Sequence, residues 1–302
     1  MVKVGLGLPI LVPDVGPRSA VEFARLAEEA GADSVWAGDR IVFPNQDPLL
    51  NLAAAAAVTS RVGLGTSVLL GTLRPPTLLA KMVATLDQMS AGKVILGLGV
   101  GSRADDFAAE QIPFDHRGTR AEELVEILRL AWQGGPVQYE GRFYQLDVGP
   151  VSPRPAQPRI PIWFGGSAES ALKRIGRLAD GYIGGSGGGP PGFRATWEKI
   201  GRYAEAAGRD PGSIAPAALI YACIDNDRAR AQELATAHLL NYYGPRRTDT
   251  SSFMLGSADD CLKQAEAYAA AGVRTFIIGS VTADERYFER LCALVPRLAH
   301  LG

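Results

Sequence analysis

Histidine is nearly missing from this 302-residue chain, which has only His116, His238 and His300. No Ser-His-Asp or Cys-His arrangement is readable around them. So few acid–base residues point to difficult chemistry carried by a cofactor. His300 reads as incidental beside the terminus, His238 as a surface or packing residue of a helix, and His116 in PFDHRG as interfacial. Cysteine is equally scarce. Cys223, Cys261 and Cys292 are widely spaced and odd in number. They predict buried free thiols in a reducing cytoplasm. With no CxxC or paired histidines, no metal site is predicted. Excess charge is also missing: the net charge is -1, with no basic run. That argues against nucleic acid and anionic membranes as partners. No apolar run reaches membrane-spanning length. MVKVGLGLPI reads as a first strand, not as a signal peptide.

What is present is a steady alternation of strand and helix signals. With 47% hydrophobic and 21% charged residues, the chain suits a globular protein with a sizeable core. Strands are predicted at Lys3 to Leu8, Asp33 to Ala37, Val62 to Leu70, Val94 to Leu98, Pro161 to Phe164, Tyr182 to Gly184, Ile214 to Ile224 and Arg274 to Ile278. Helices fall between them. Pro75 and Pro76 open one, where a missing N–H costs nothing. Leu124, Ile127, Leu128 and Ala131 mark the buried stripe of another. Eight short strands interleaved with helices predict a single (β/α)8 TIM barrel over residues 1–302. A hairpin and Pro-rich connector are expected as an insertion at 134–160, and an irregular insertion at 241–257.

Barrel chemistry sits at the C-terminal ends of the strands. Gly165-Gly166-Ser167 stands there, just before a helix, and Gly184-Gly185-Ser186 ends the next strand. Each reads alone as a turn with a helix cap; together they form two donor-rich turns suited to one phosphate. Small residues at Thr66-Ser67-Val68 leave room for a flat ring, or simply pack a strand. Asp39-Arg40 follows the second strand, as a solvated pair or as a functional pair at the barrel mouth. Gly97 to Gly101 lacks the third glycine of a dinucleotide fingerprint and reads as room for a ring or substrate. The glycine-rich 185–192 segment is expected to form a lid.

Longer segments carry a resemblance. They include EEAGADSVWAGD (28–39), VGLGTSVLLGTLRPPTLLAKMVATLDQMSAGKVILGLGVG (62–101), PFDHRGTRAEELVEILRLAW (113–132) and SPRPAQPRIPIWFGGSAESALKRIGRLADGYIGG (152–185). With these the chain resembles the bacterial luciferase-like superfamily of FMN-dependent monooxygenases and coenzyme F420-dependent oxidoreductases. The resemblance implies a barrel, usually dimeric. It implies a non-proline cis peptide at Ser67-Val68 beneath the cofactor ring. It assigns the phosphate to Gly165, Gly166, Ser167, Gly184 and Gly185, and places Asp39 near the ring's polar edge. One departure stands out. The family often has a histidine base where this chain has Arg40, and a guanidinium takes no proton at physiological pH. Arg40 instead suits an anionic substrate or negative charge on a reduced ring.

The function expected is hydride transfer between reduced F420 and a small organic substrate, with Asp39 and Arg40 as catalytic candidates. The alternatives are an FMNH2-dependent monooxygenase and a non-catalytic flavin-binding homologue. A homodimer, a cytoplasmic location and a separate flavin or F420 reductase accompany that expectation. The residues that select the substrate are expected in Gly101 to Phe114, Tyr242 to Leu255 and the loop after Asp39.

Overall fold

The computed structural model describes residues 2–13, 15–16, 18–185, 187–245 and 249–301. From the N-terminus the elements are β1 (Lys3–Gly7), α1 (Ser19–Glu29), β2 (Ser34–Ala37), α2 (Pro48–Val58), β3 (Gly63–Thr66), α3 (Pro76–Met89) and β4 (Val94–Leu98). Then come α4 (Ala104–Ala109), α5 (Arg117–Gln133), β5 (Val137–Glu140), β6 (Gln145–Val148), β7 (Ile162–Gly165), α6 (Glu169–Leu178) and β8 (Gly181–Gly184). The chain ends with α7 (Gly189–Ala206), β9 (Ala215–Ile224), α8 (Arg228–Tyr243), β10 (Met254–Gly256), α9 (Ala258–Ala270), β11 (Thr275–Ser280) and α10 (Glu285–Ala299).

Strands run in the order β9-β11-β1-β2-β3-β4-β7-β8, all parallel, and β8 pairs back onto β9 to close the barrel. The predicted (β/α)8 architecture is therefore what the chain adopts. Side chains alternate across the barrel wall with period two. Val4, Leu6, Val35, Leu64, Leu96, Ile162 and Phe164 belong to the cluster between strands and helices. Trp36, Trp163, Ile183, Ala217 and Ile277 form a separate cluster that fills the barrel interior.

The interior explains the strand glycines. Trp36 and Trp163 pack with ring centroids 5.5 Å apart. A Cβ on Gly5 or Gly65 would lie 2.3 Å from the Trp36 ring, and one on Gly181 would lie 2.6 Å from Trp163. At Gly97 a Cβ would lie 1.9 Å from the Thr66 carbonyl oxygen. These glycines make room for tryptophan and for a neighbouring strand, not for a ligand. The expectation for Gly97 to Gly101 is corrected accordingly: only Gly99 and Gly101, beyond the strand's inner half, line a pocket.

Three further differences have local causes. The 241–257 stretch is not irregular throughout, because α8 continues to Tyr243 and β10 adds to the outer end of β9. The 185–192 segment enters α7 at Gly189, with proline at the first helical positions, so the second half of the expected lid is helix. Residues 104–109, where no helix is predicted, form α4. Elsewhere two buried carboxylates pin the chain. Asp87 accepts hydrogen bonds from the Gln157 backbone N–H (2.9 Å) and side-chain amide (2.6 Å), anchoring the connector after β6. Glu123 accepts the backbone N–H groups of Arg142, Phe143 and Tyr144, which holds the β5–β6 hairpin against α5.

Candidate active site

A pocket of about 500 Å³ opens at the C-terminal ends of the barrel strands. Asp39 and Arg40, Ser67 and Val68, and Gly165, Gly166, Ser167 and Gly185 all line it, although they come from four different strand ends. Gly184 is not on this wall; its α-carbon backs onto the Phe193 ring, where a Cβ would lie 2.8 Å away. Ser186 lies outside the described residues.

One wall is bare backbone. β7 ends at Gly165, and Gly166 has a φ of 144° that favours glycine. A Cβ there would also lie 2.8 Å from the Ala171 Cβ. The N-cap of α6 is Ala168, with no side-chain cap hydrogen bond. Ser167 therefore does not cap the helix, and the first N–H groups of α6 have no intrahelical acceptor. Backbone donors, a helix N-terminus and an exposed serine suit an anionic group such as a phosphate. The Ser67–Val68 peptide is cis. A Cβ on Gly99 or Gly165 would press on the Val68 side chain, at 2.4 and 3.1 Å.

The facing wall is built from ion pairs. Asp39 is 5% exposed and accepts the Leu70 N–H at 2.9 Å. Its carboxylate pairs with Arg74 at 2.6 Å, and Arg74 reaches Asp47, the N-cap of α2, at 3.1 Å. Burial alone would lower the Arg74 pKa, but the hydrogen bond and charge of Asp39, helped by Asp47, raise it. Arg40 is also buried. Its Nε donates to Asp106 at 2.7 Å and its Nη2 to the Val42 carbonyl at 3.1 Å. The other Asp106 oxygen accepts the Ile41 and Val42 N–H groups at 3.0 and 2.8 Å. Asp39 and Arg40 thus do not pair with each other and are not a solvated loop pair.

Sequence reasoning missed Arg74 and Asp106, the partners that fix the orientation of these two side chains. Asp106 fell within the Gly101 to Phe114 stretch without being singled out, and Arg74 drew no notice beside the two prolines that follow it. Arg103, Tyr221, Tyr242 and Tyr243 complete the wall. Arg103 donates to the Tyr242 carbonyl, and the Tyr221 and Tyr243 hydroxyls lie 3.2 Å apart. Burial pushes the Tyr242 phenol above its ordinary range. Among the described residues, no group of three or more His, Cys, Asp or Glu side chains is arranged to hold a metal ion, and no helix is long and apolar enough to cross a membrane.

Comparison with known proteins agrees with this geometry. The chain is 36% identical over 239 residues to the F420-dependent glucose-6-phosphate dehydrogenase of Kineococcus radiotolerans, covering 76% of this chain and 70% of that protein. Four proteins of that name are matched over 54% to 70% of their lengths. The 5,10-methylenetetrahydromethanopterin reductase of Methanopyrus kandleri is 31% identical over 248 residues, 77% of this chain and 70% of that one. The fold matches a solved F420-dependent secondary alcohol dehydrogenase with a TM-score of 0.85 at 22% identity, covering 98% of this chain and 99% of that one. Residues 8–299 match the family model for luciferase-like monooxygenases, and the chain belongs to that family.

Proposed function

We propose that this protein is an oxidoreductase that moves hydride between coenzyme F420 and a small organic substrate. The observation that carries the reading is the pocket itself. It combines an anion-binding turn at Gly165, Gly166 and Ser167 with a flat wall at Ser67, Val68 and Gly99, in a chain whose relatives are named as F420-dependent enzymes. The residues fit the group: glycine leaves the backbone of Gly166 and Gly185 open, and a Cβ at Gly185 would meet nothing within 4 Å. Bound there, F420 supplies the redox chemistry of its deazaflavin ring.

The chain's own residues do the rest. The turn before α6 and the Ser167 hydroxyl hold the phosphate. Val68 and Gly99 would supply the apolar surface that receives the ring. Asp39, fixed by Arg74 and the Leu70 N–H, presents a rigid carboxylate toward the ring's polar edge. Arg40, held by Asp106, contributes positive potential near the substrate but takes up no proton.

The same reading includes a homodimer, supported by the exposed Leu50 of α2 and Leu78 and Met89 of the neighbouring α3. Three buried free thiols, pushed up to about 12 by burial, support a reducing cytoplasm. A separate reductase would then supply reduced F420.

Titration of the purified protein with F420 and with FMN, followed by ring fluorescence, tests the reading. Saturable F420 binding without oxygen consumption is expected. Tight FMN binding alone, with oxygen uptake once the flavin is reduced, would make it an FMN monooxygenase instead. Binding of either without turnover of any substrate would leave a non-catalytic homologue.

A further inference from the structure

His238 is the most conspicuous buried polar group outside the machinery described above. It projects from α8, is 2% exposed, and neither ring nitrogen has a hydrogen-bond partner among the described residues. Aromatic rings flank it: Tyr221 at 4.5 Å and Tyr242, parallel, at 6.1 Å between centroids. Leaving an imidazole donor and acceptor buried and unsatisfied is costly, so such a group demands a partner.

A partner has room. His238 lines a second cavity of about 30 Å³, bounded by the ends of β1, β2, β3 and β11. One water needs roughly 10–15 Å³ of such space, so the cavity takes about two or three non-hydrogen atoms. It shares Leu11, Ser67, Leu219 and Tyr221 with the main pocket and therefore adjoins it directly. Among the described residues, no Asp, Glu, Lys or Arg lines it. The Ser280 hydroxyl on its wall already donates to the Thr282 carbonyl. The Tyr221 hydroxyl, also on that wall, lies 3.2 Å from the Tyr243 hydroxyl, and the His238 imidazole brings a donor and an acceptor of its own.

We propose that His238 and this cavity form an inner, uncharged subsite of the active site that receives the oxygen of a neutral substrate hydroxyl or carbonyl. The proposal rests on the function proposed above and adds the substrate's chemical class. An anion would find no compensating charge there and a cation no carboxylate. A hydroxyl matches the imidazole on both counts, as donor and as acceptor. The apolar remainder of the ligand would lie in the main pocket against Leu11, Leu219 and Val68. Burial holds the imidazole neutral at physiological pH, with its pKa lowered to about 4, which preserves the acceptor nitrogen. The role is that of a binding anchor on the opposite side of the pocket from the anion turn.

Nitrogen NMR of the ¹⁵N-histidine-labelled full-length protein, with and without F420, tests this, using cyclohexanol as probe. Cyclohexanecarboxylate and cyclohexylammonium serve as charged controls. Cyclohexanol is expected to shift the His238 ring resonances saturably, and the charged controls are not. H238F should bind cyclohexanol about tenfold more weakly, the loss of roughly one net hydrogen bond, with F420 affinity within about twofold of the unaltered protein. H238Q, which keeps polar atoms at the site, covers the case in which H238F does not fold. A saturable cyclohexanol response in F420 fluorescence with His238 unmoved overturns the proposal. So does a His238 signal of a water-bonded imidazole that no probe alters, since the cavity would then hold water only. So does an equal response to the charged controls, or no binding of cyclohexanol at all. Failure of F420 to bind would count against the proposed function, while the response of the cofactor-free protein would still decide the subsite.

Discussion

The two walls of the active-site pocket are built on opposite principles. The wall at Gly165 to Ser167 is almost free of side chains and offers backbone N–H groups ahead of a helix. The facing wall carries Asp39 and Arg40, each already matched by a charged partner, 35 and 66 residues away. The first wall offers open backbone N–H groups, which the proposed function assigns to an anion. The second is satisfied within the protein, so it acts as a rigid, shaped surface, not as a set of free ligands. A charged residue in a pocket is therefore weak evidence for binding a charged ligand until its partner is known.

The sharpest way to break this contrast is to remove a partner from the charged wall. D106A leaves the Arg40 guanidinium, 7% exposed in its side chain, beside only the exposed Asp105 at 3.5 Å. A loss of about 3–5 kcal/mol is expected in urea unfolding. D105A, which removes an exposed partner, should stay within about 1 kcal/mol. If both variants lose the same amount, the wall is not held by the buried pair.

Acid probes the uncharged neighbour of that wall. His238 has a folded pKa of about 4 against an ordinary 6.5, so the unfolded state binds its proton first as pH falls. Its contribution is complete above about pH 6.5 and is lost progressively down to about pH 4. The expected loss is about 3 kcal/mol over that window, from 1.36 kcal/mol per pH unit. Urea midpoints measured from pH 7 to 4 should show this slope in the unaltered protein and a shallower one in H238Q; equal slopes would assign the loss to the carboxylates.

The bare wall responds more gently. G166V forces a β-branched residue into a φ of 144° and against Ala171. The strain is about 1–3 kcal/mol, so F420 affinity should fall about five- to hundredfold. Unchanged affinity would detach the phosphate from this turn. These variants change one wall at a time, and a fluorescence titration on each separates lost binding from lost stability.

Much of the fold was legible because its signals are local. The β4 strand, the buried stripe of α5 and the proline start of α3 can each be read within a dozen residues. The pocket-lining turn was legible for the same reason: Gly165, Gly166 and Ser167 are adjacent and sit at a strand-to-helix junction. Gly97 misled, because a glycine that admits a ligand and one that admits the Thr66 carbonyl look alike in sequence. Of the two readings of His238, surface or packing, the structure gives packing, against Tyr221 and Tyr242.

Periodicity, short motifs and chain order are enough to give the barrel, the family and a glycine turn at the end of β7. Only the tertiary structure decided what each charged or polar side chain is free to do. Closing β8 onto β9 brings distant strand ends to one rim. There Asp39 meets Arg74, Arg40 meets Asp106, and His238 lines a small cavity without a hydrogen-bond partner among the described residues. The physical reason is that the availability of a buried polar group depends on its nearest atoms in space, and those are set by packing across the whole barrel.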